Sequence, residues 1–144
     1  VAFLLLGAIL LAGCNTSPQA NYDSVDLVNV SGTVTLGDDP LPDAVVKFES
    51  ANGQFSIGKT DANGKYTLQF DSVKSGVTPG EKTVRISTAA SMGEGEDGEE
   101  SGEGETAPTK RTEQVPEKYN KKSELKRTVE SGKSQTFDFA LERE

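Results

Sequence analysis

From Leu27 onward the apolar residues fall on every second position, in short runs cut by Gly, Pro, Asn and Asp. A period of two sends alternate side chains to opposite faces of an extended chain, so this pattern builds strands with one apolar face. No helical stripe is long enough to compete with it. In the first strand Val28, Val30, Val34 and Leu36 alternate with Asn29, Ser31, Thr33 and Thr35, and Gly32 falls on the apolar face, where it allows close packing. Gly37 to Asp43 ends that strand, because Pro40 and Pro42 lack the N–H that a central ladder needs. Ala44 to Ser50 is the second strand, with Ala44, Val46 and Phe48 on one face and Val45, Lys47 and Glu49 on the other. Gln54 to Thr60, carrying Phe55 and Ile57, is the third, and Lys65 to Phe70, with Tyr66, Leu68 and Phe70 in register, the fourth. Asp61-Ala62-Asn63-Gly64 supplies turn residues between them, which predicts a hairpin. Lys82 to Thr88 is the fifth strand, with Val84 and Ile86 inward. Glu124 to Glu130 and Gln135 to Leu141 are the sixth and seventh, joined through Ser131-Gly132-Lys133-Ser134.

Seven short strands with polar outer faces and no helix predict an all-β, two-sheet sandwich of the immunoglobulin-like kind over residues 27–141, with a small open barrel as the competing shape. The connection between the fifth and sixth strands is far longer than a sandwich needs. Its first part, residues 89–109, is Gly, Glu and Ser with hardly an apolar residue, and is expected to form a disordered loop. Seven acids (Glu94, Glu96, Asp97, Glu99, Glu100, Glu103, Glu105) crowd into it without a base, so most of the net charge of −8 is local. The rest of the chain is nearly neutral, and an acidic balance of this kind argues against nucleic acid as a partner.

The 144 residues include no His, no Trp and one Cys. That composition excludes His-based acid–base catalysis, Ser-His-Asp and Cys-His nucleophiles, Cys and His zinc sites and an internal disulfide. Two Ser-x-x-Lys runs, Ser56 to Lys59 and Ser123 to Lys126, lack the helix and the Lys-Thr-Gly partner of the catalytic motif. Lys47 as the nucleophile of an intramolecular isopeptide bond requires burial beside an Asn and an acid, whereas it occupies a polar-face position. Asp61, Asn63 and Gly64 faintly echo a calcium loop but lack its further acids, so a turn is the expectation. Tyr119, shortly before the sixth strand, is expected to act like the tyrosine corner of sandwich folds, ring packed and hydroxyl bonded to backbone. No catalytic, cofactor-binding or metal-ligating residue is therefore assigned.

Val1 to Gly13 is an uncharged apolar run, too short to span a bilayer, which takes roughly 20 residues. It has the length of a signal-peptide h-region, and without an initiator Met or a basic flank it reads as the remnant of one. Leu11-Ala12-Gly13-Cys14 resembles a bacterial lipobox. The resemblance implies lipidation of Cys14, cleavage after Gly13, and a tether, residues 14–26, holding the domain at the membrane of the cell envelope, on its periplasmic or extracellular face. Two or three acyl chains on one residue anchor firmly where one anchors marginally.

Three further runs carry a second resemblance: Gly32-Thr33-Val34-Thr35-Leu36, Pro40-Leu41-Pro42-Asp43-Ala44-Val45-Val46-Lys47-Phe48, and Gly58-Lys59-Thr60-Asp61-Ala62-Asn63-Gly64-Lys65-Tyr66-Thr67-Leu68. In order and spacing they resemble the carboxypeptidase regulatory-like domain, a transthyretin-like (prealbumin-like) sandwich. With the lipobox, the chain is similar to small bacterial lipoproteins built from one such domain. Asp43 stands where the family usually has Gly, and the acidic insert departs from its pattern. The resemblance implies a non-catalytic module, and the expectation for this chain is a monomer with a structural or interaction role toward an envelope protein or polysaccharide. The rivals are a carbohydrate-binding sandwich, and a Ca²⁺-responsive protein acting through the acidic loop.

Overall fold

A computed structural model describes residues 22–90 and 111–144. Cys14 and the seven clustered acids lie outside the described residues, as does most of the 89–109 insert. Among the described residues nine short strands form two sheets: β1 (Val30–Leu36), β2 (Asp39–Pro40), β3 (Val45–Glu49), β4 (Phe55–Lys59), β5 (Lys65–Thr67), β6 (Gly80–Ser87), β7 (Lys126–Val129), β8 (Gln135–Thr136) and β9 (Phe139–Leu141). The one helical element among the described residues is a 3-10 turn at Glu117–Tyr119.

One sheet is organised around β1, which pairs antiparallel with β2 and β5 and parallel with β8 and β9. The other runs β4-β3-β6-β7, antiparallel throughout. Their inner faces meet across one apolar core, where the Phe48 ring of the second sheet lies 5.9 Å from Phe137 and 6.2 Å from Phe139 of the first. Burial follows the sequence alternation in β1, where residues 30, 32, 34 and 36 are buried, in β6 from Lys82 on, and in β3 from Val46 on, Val45 being buried on the outer face as well.

The structure departs from the sequence expectations in four places. Asp39–Pro40 forms a two-residue edge strand in a stretch expected to be turn, tolerated because Pro40 pairs only at the rim. The seventh predicted strand is broken at Phe137–Asp138, where Asp138 Oδ1 accepts the Thr33 N–H at 2.8 Å in place of a main-chain carbonyl. The predicted hairpin of the third and fourth strands is split between sheets: β4 pairs β3 and β5 pairs β1, leaving one isolated bridge between Ile57 and Gln69. The turn itself forms, with Gly64 at φ 74° and the Asp61 carboxylate accepting the N–H groups of Asn63 and Lys65. Finally, β4 is turned over. Ser56 and Gly58 face inward while Phe55 and Ile57 face out, because the sheets close together here and a Cβ on Gly58 would sit 2.4 Å from Thr67 O.

Asp43 adopts φ 58° and closes its turn through its N–H to Thr60 O. Asp tolerates the left-handed region better than most residues, and Lys59 Nζ sits 2.7 Å from its carboxylate.

Lys82 shares the inward register of Val84 and Ile86, and only 2% of it is exposed. Its ammonium reaches Ser50 Oγ at 2.6 Å, Thr78 Oγ1 at 2.9 Å and Pro79 O at 3.3 Å. Burial lowers its pKa from the ordinary 10.5. Between the lowered folded value and 10.5 the unfolded chain binds more protons, so stability rises with pH across that window. Relative to Lys82→Met, the wild-type chain is expected to gain stability as pH rises through the lowered folded value toward 10.5 in paired urea titrations. A flat difference would mean that the amine is not desolvated.

Candidate functional site

The register of the strands sorts the loops to two ends of the sandwich. Residues 22–28 enter at one end, beside the start of β6, through a Val28–Val77 bridge. The 50–54 loop, the 70–79 loop and the 131–134 turn share this near end. Tyr22 donates its hydroxyl to Asp71, Lys74 Nζ lies 5.4 Å from the Tyr22 ring, and Ser131 donates to Asp26. Thus part of the stretch assigned to the tether is docked on the domain. The far end carries the 60–64 turn, the end of β6 at Ser87 and the return of the chain at Arg111. Eight residues of β6 set the ends roughly 25 Å apart.

At the far end the two borders of the insert are stapled together. The Glu113 carboxylate accepts from Ser87 Oγ, from Thr88 N at 3.0 Å, from Val115 N at 3.0 Å and from Thr88 Oγ1 at 3.1 Å. Gln114 N donates to Thr88 Oγ1 at 2.8 Å. Partial burial pushes the Glu113 pKa up, but these hydrogen bonds outweigh it and the net shift is downward. A depressed carboxylate contributes stability that is present above its unfolded pKa and lost as pH falls through the folded value. Glu113→Ala is expected to cost about 1–2 kcal/mol at pH 7, discounted for its exposure. The difference should shrink below pH 4.5 in chemical denaturation, and protease should cut faster around Gln114; a pH-independent loss would assign the effect to packing.

From this staple the chain runs as a strap over the far end. Val115 enters the core, and Asn120 Nδ2 donates to Val115 O at 3.0 Å. Tyr119 packs against the core and its hydroxyl accepts the Glu142 N–H at 3.2 Å, the backbone tie expected of it. The strap then presents the carbonyls of Asn120 and Lys121 to Arg85 NH1, at 2.6 and 3.1 Å.

Strap and sheet enclose a cavity of about 290 Å³ on the outer face of the four-stranded sheet. Its floor is the outward register of three strands, in which Ile57, Lys47 and Arg85 stand directly opposite one another, flanked by Val45 and Phe55. Phe55 is the one aromatic among the described residues counted as exposed, at 38%. The overturned β4 therefore moves two apolar side chains from the expected core to this surface. Lys47 Nζ lies 4.7 Å from the Phe55 ring centre and 3.2 Å from Glu49 Oε2. Arg85 Nε is 3.6 Å from the same oxygen, too far for a hydrogen bond, and both atoms are buried without one. Lys47 is thus engaged by a carboxylate and an aromatic ring, consistent with its polar-face assignment.

The remaining candidates fall apart as sites. Ser56 faces the core while Lys59 points out, and Ser123 Oγ donates to Val84 O while Lys126 Nζ reaches Thr83 Oγ1. Ser50 and Lys82 do stand at 2.6 Å, the spacing of a serine with its base, but Lys82 is sealed in the core and neither residue lines the cavity described above. The Asp61 carboxylate is committed to main-chain N–H groups, and no cluster of three metal-ligating side chains occurs among the described residues. The cavity itself escaped the sequence reading, although the parity of Gly58 and Ser56 against Phe55 and Ile57 was its one available signal. Compared with protein-family models, with curated proteins and with solved structures, the chain matches none.

Proposed function

We propose that this chain is a lipid-anchored, non-enzymatic sandwich of the immunoglobulin-like, prealbumin-like kind, tethered through Cys14 at the cell envelope, that docks a protein partner on the outer face of its four-stranded sheet. The observation that carries the docking surface is the cavity beside Phe55, an apolar depression with charged groups at its centre on a face otherwise free to be polar. Scattered single apolar residues need no explanation, but apolar groups gathered in a cavity do. A protein partner is favoured over a glycan because Tyr22 and Tyr119 have their hydroxyls engaged and are not counted among the exposed side chains, which leaves no flat aromatic platform among the described residues.

Anchoring at Cys14 would put the near end toward the bilayer, since the described chain begins there at Tyr22. Seven residues separate Cys14 from Tyr22 in the sequence. The cavity and the base of the acidic insert would then face away from the membrane. A photoreactive benzoylphenylalanine in place of Phe55 in the full-length chain, irradiated in its native envelope, should yield one dominant protein adduct, absent when the probe replaces exposed Lys65 on the other sheet. That adduct should survive deletion of residues 93–105; its loss would move the function to the acidic segment. Cys14→Ala should release the chain from the membrane fraction, and unchanged fractionation of the variant would overturn the anchor.

A further inference from the structure

We propose that the cavity takes from its partner an apolar side chain adjacent to a carboxylate, with Arg85 holding the carboxylate and Val45, Phe55 and Ile57 receiving the apolar group. The inference rests on the sheet face being the docking surface and supplies the chemistry of what docks there.

Arg85 is the basis of the assignment. Its guanidinium is held in place by two neutral acceptors, the main-chain carbonyls of Asn120 and Lys121, which orient it without cancelling its charge. Glu49 is the one carboxylate among the described residues within 4 Å of it, at 3.6 Å, and this carboxylate lies closer to Lys47, at 3.2 Å. The other acid at the cavity, Glu113, has its oxygens committed to Ser87, Thr88 and Val115. Arg85 is therefore a positioned, half-buried cation, 26% of its side chain exposed, with no carboxylate hydrogen-bonded to it among the described residues. Both Nη1 protons go to the strap carbonyls and Nε is buried facing Glu49, so Nη2 is the donor left for a carboxylate, and partial desolvation strengthens a charge-assisted bond to it. A negative charge answers the under-compensated guanidinium, and the apolar floor beside it adds a hydrophobic contact. A volume of about 290 Å³ lies at the small end for ligand sites, suited to one side chain and its neighbour and too small for a large cofactor.

The probes are N-acetyl-Phe-Asp-amide and N-acetyl-Phe-Asn-amide, titrated by NMR into the full-length chain in detergent. The aspartate peptide should bind at least tenfold more tightly than the asparagine one and shift the side-chain signals of Arg85 and the methyl signals of Val45 and Ile57. Arg85→Met should abolish the tenfold preference, and Arg85→Lys, which keeps the charge without the planar anchoring to both strap carbonyls, should retain part of it, with the melting temperature as the check on folding. Equal affinities for the two peptides, or shifts mapping to another surface, would overturn the proposal. Decanoate binding in the absence of peptide binding would give the cavity to a free carboxylic acid, and peptide binding that emerges only after deletion of residues 91–110 would give it to this chain's own segment; either result overturns the assignment to a partner. If neither peptide binds while the probe at position 55 still captures a protein, the docking surface stands and its proposed chemistry falls.

Discussion

Replacing Gly32 by alanine is expected to cost about 4 kcal/mol, at the upper end of single-substitution effects. A Cβ at this position would lie 1.9 Å from Phe137 O, 2.7 Å from Phe137 C and 2.9 Å from Tyr66 Cε1. None of these atoms is at the free end of a flexible side chain. Phe137 O accepts the Tyr66 hydroxyl at 2.6 Å, Phe137 N donates to Ser31 O at 2.9 Å, and Thr33 N donates to Asp138 at 2.8 Å. To admit the methyl group, the β8–β9 segment must move away from β1 and forfeit these bonds together. A domain of this size has about 5–15 kcal/mol in all, so Gly32→Ala should shift the urea midpoint far downward and Gly32→Val should fail to fold. A loss under about 1 kcal/mol would show that the parallel pairing of β1 with β8 and β9 is not as close as described.

Phe48→Ala is expected to cost about 3–5 kcal/mol, the usual range for removing a buried ring. Phe48 is fully buried and its ring bridges the two sheets through Phe137 and Phe139. The informative companion is Phe55→Ala, one strand away and equally aromatic, which should cost under about 1 kcal/mol because the ring lies on the outer face. Chemical denaturation of the pair tests the inversion of β4 directly. Similar losses for the two would return Phe55 to the core and close the cavity.

The alternation of Val28, Val30, Val34 and Leu36, and of Ala44, Val46 and Phe48, was enough to read the strand faces, because burial on one face of a strand depends on parity alone. Gly32 on the apolar face was legible for the same reason, and its crowding against Phe137 supplies the cause. Tyr119 was legible as a packed ring with a backbone bond. In β4 parity misled, since the apolar residues are the outward ones. There the deciding force was the narrow gap between the sheets, which admits Ser56 and Gly58 and excludes Phe55 and Ile57. Lys82 was readable by parity with Val84 and Ile86, but its charge pointed the other way, and only the oxygens of Ser50, Thr78 and Pro79 make its burial tolerable.

By itself, then, the sequence determined the class of fold, the periodicity of its strands, the turns at Asp61–Gly64 and the chemistries that a chain without histidine cannot perform. These are local properties, set by spacing and by residue type. Which strands pair was decided only in three dimensions: the split of β4 from β5, the parallel docking of β8 and β9 on β1, and the separation of the near and far ends. So was the cavity. It exists because Asn120 and Lys121, far along the chain, bring their carbonyls to Arg85 across the face on which Lys47 and Ile57 stand opposite each other. Contacts between residues so distant in sequence have no local signature, since their free energy arises only when the sheets and the strap have closed.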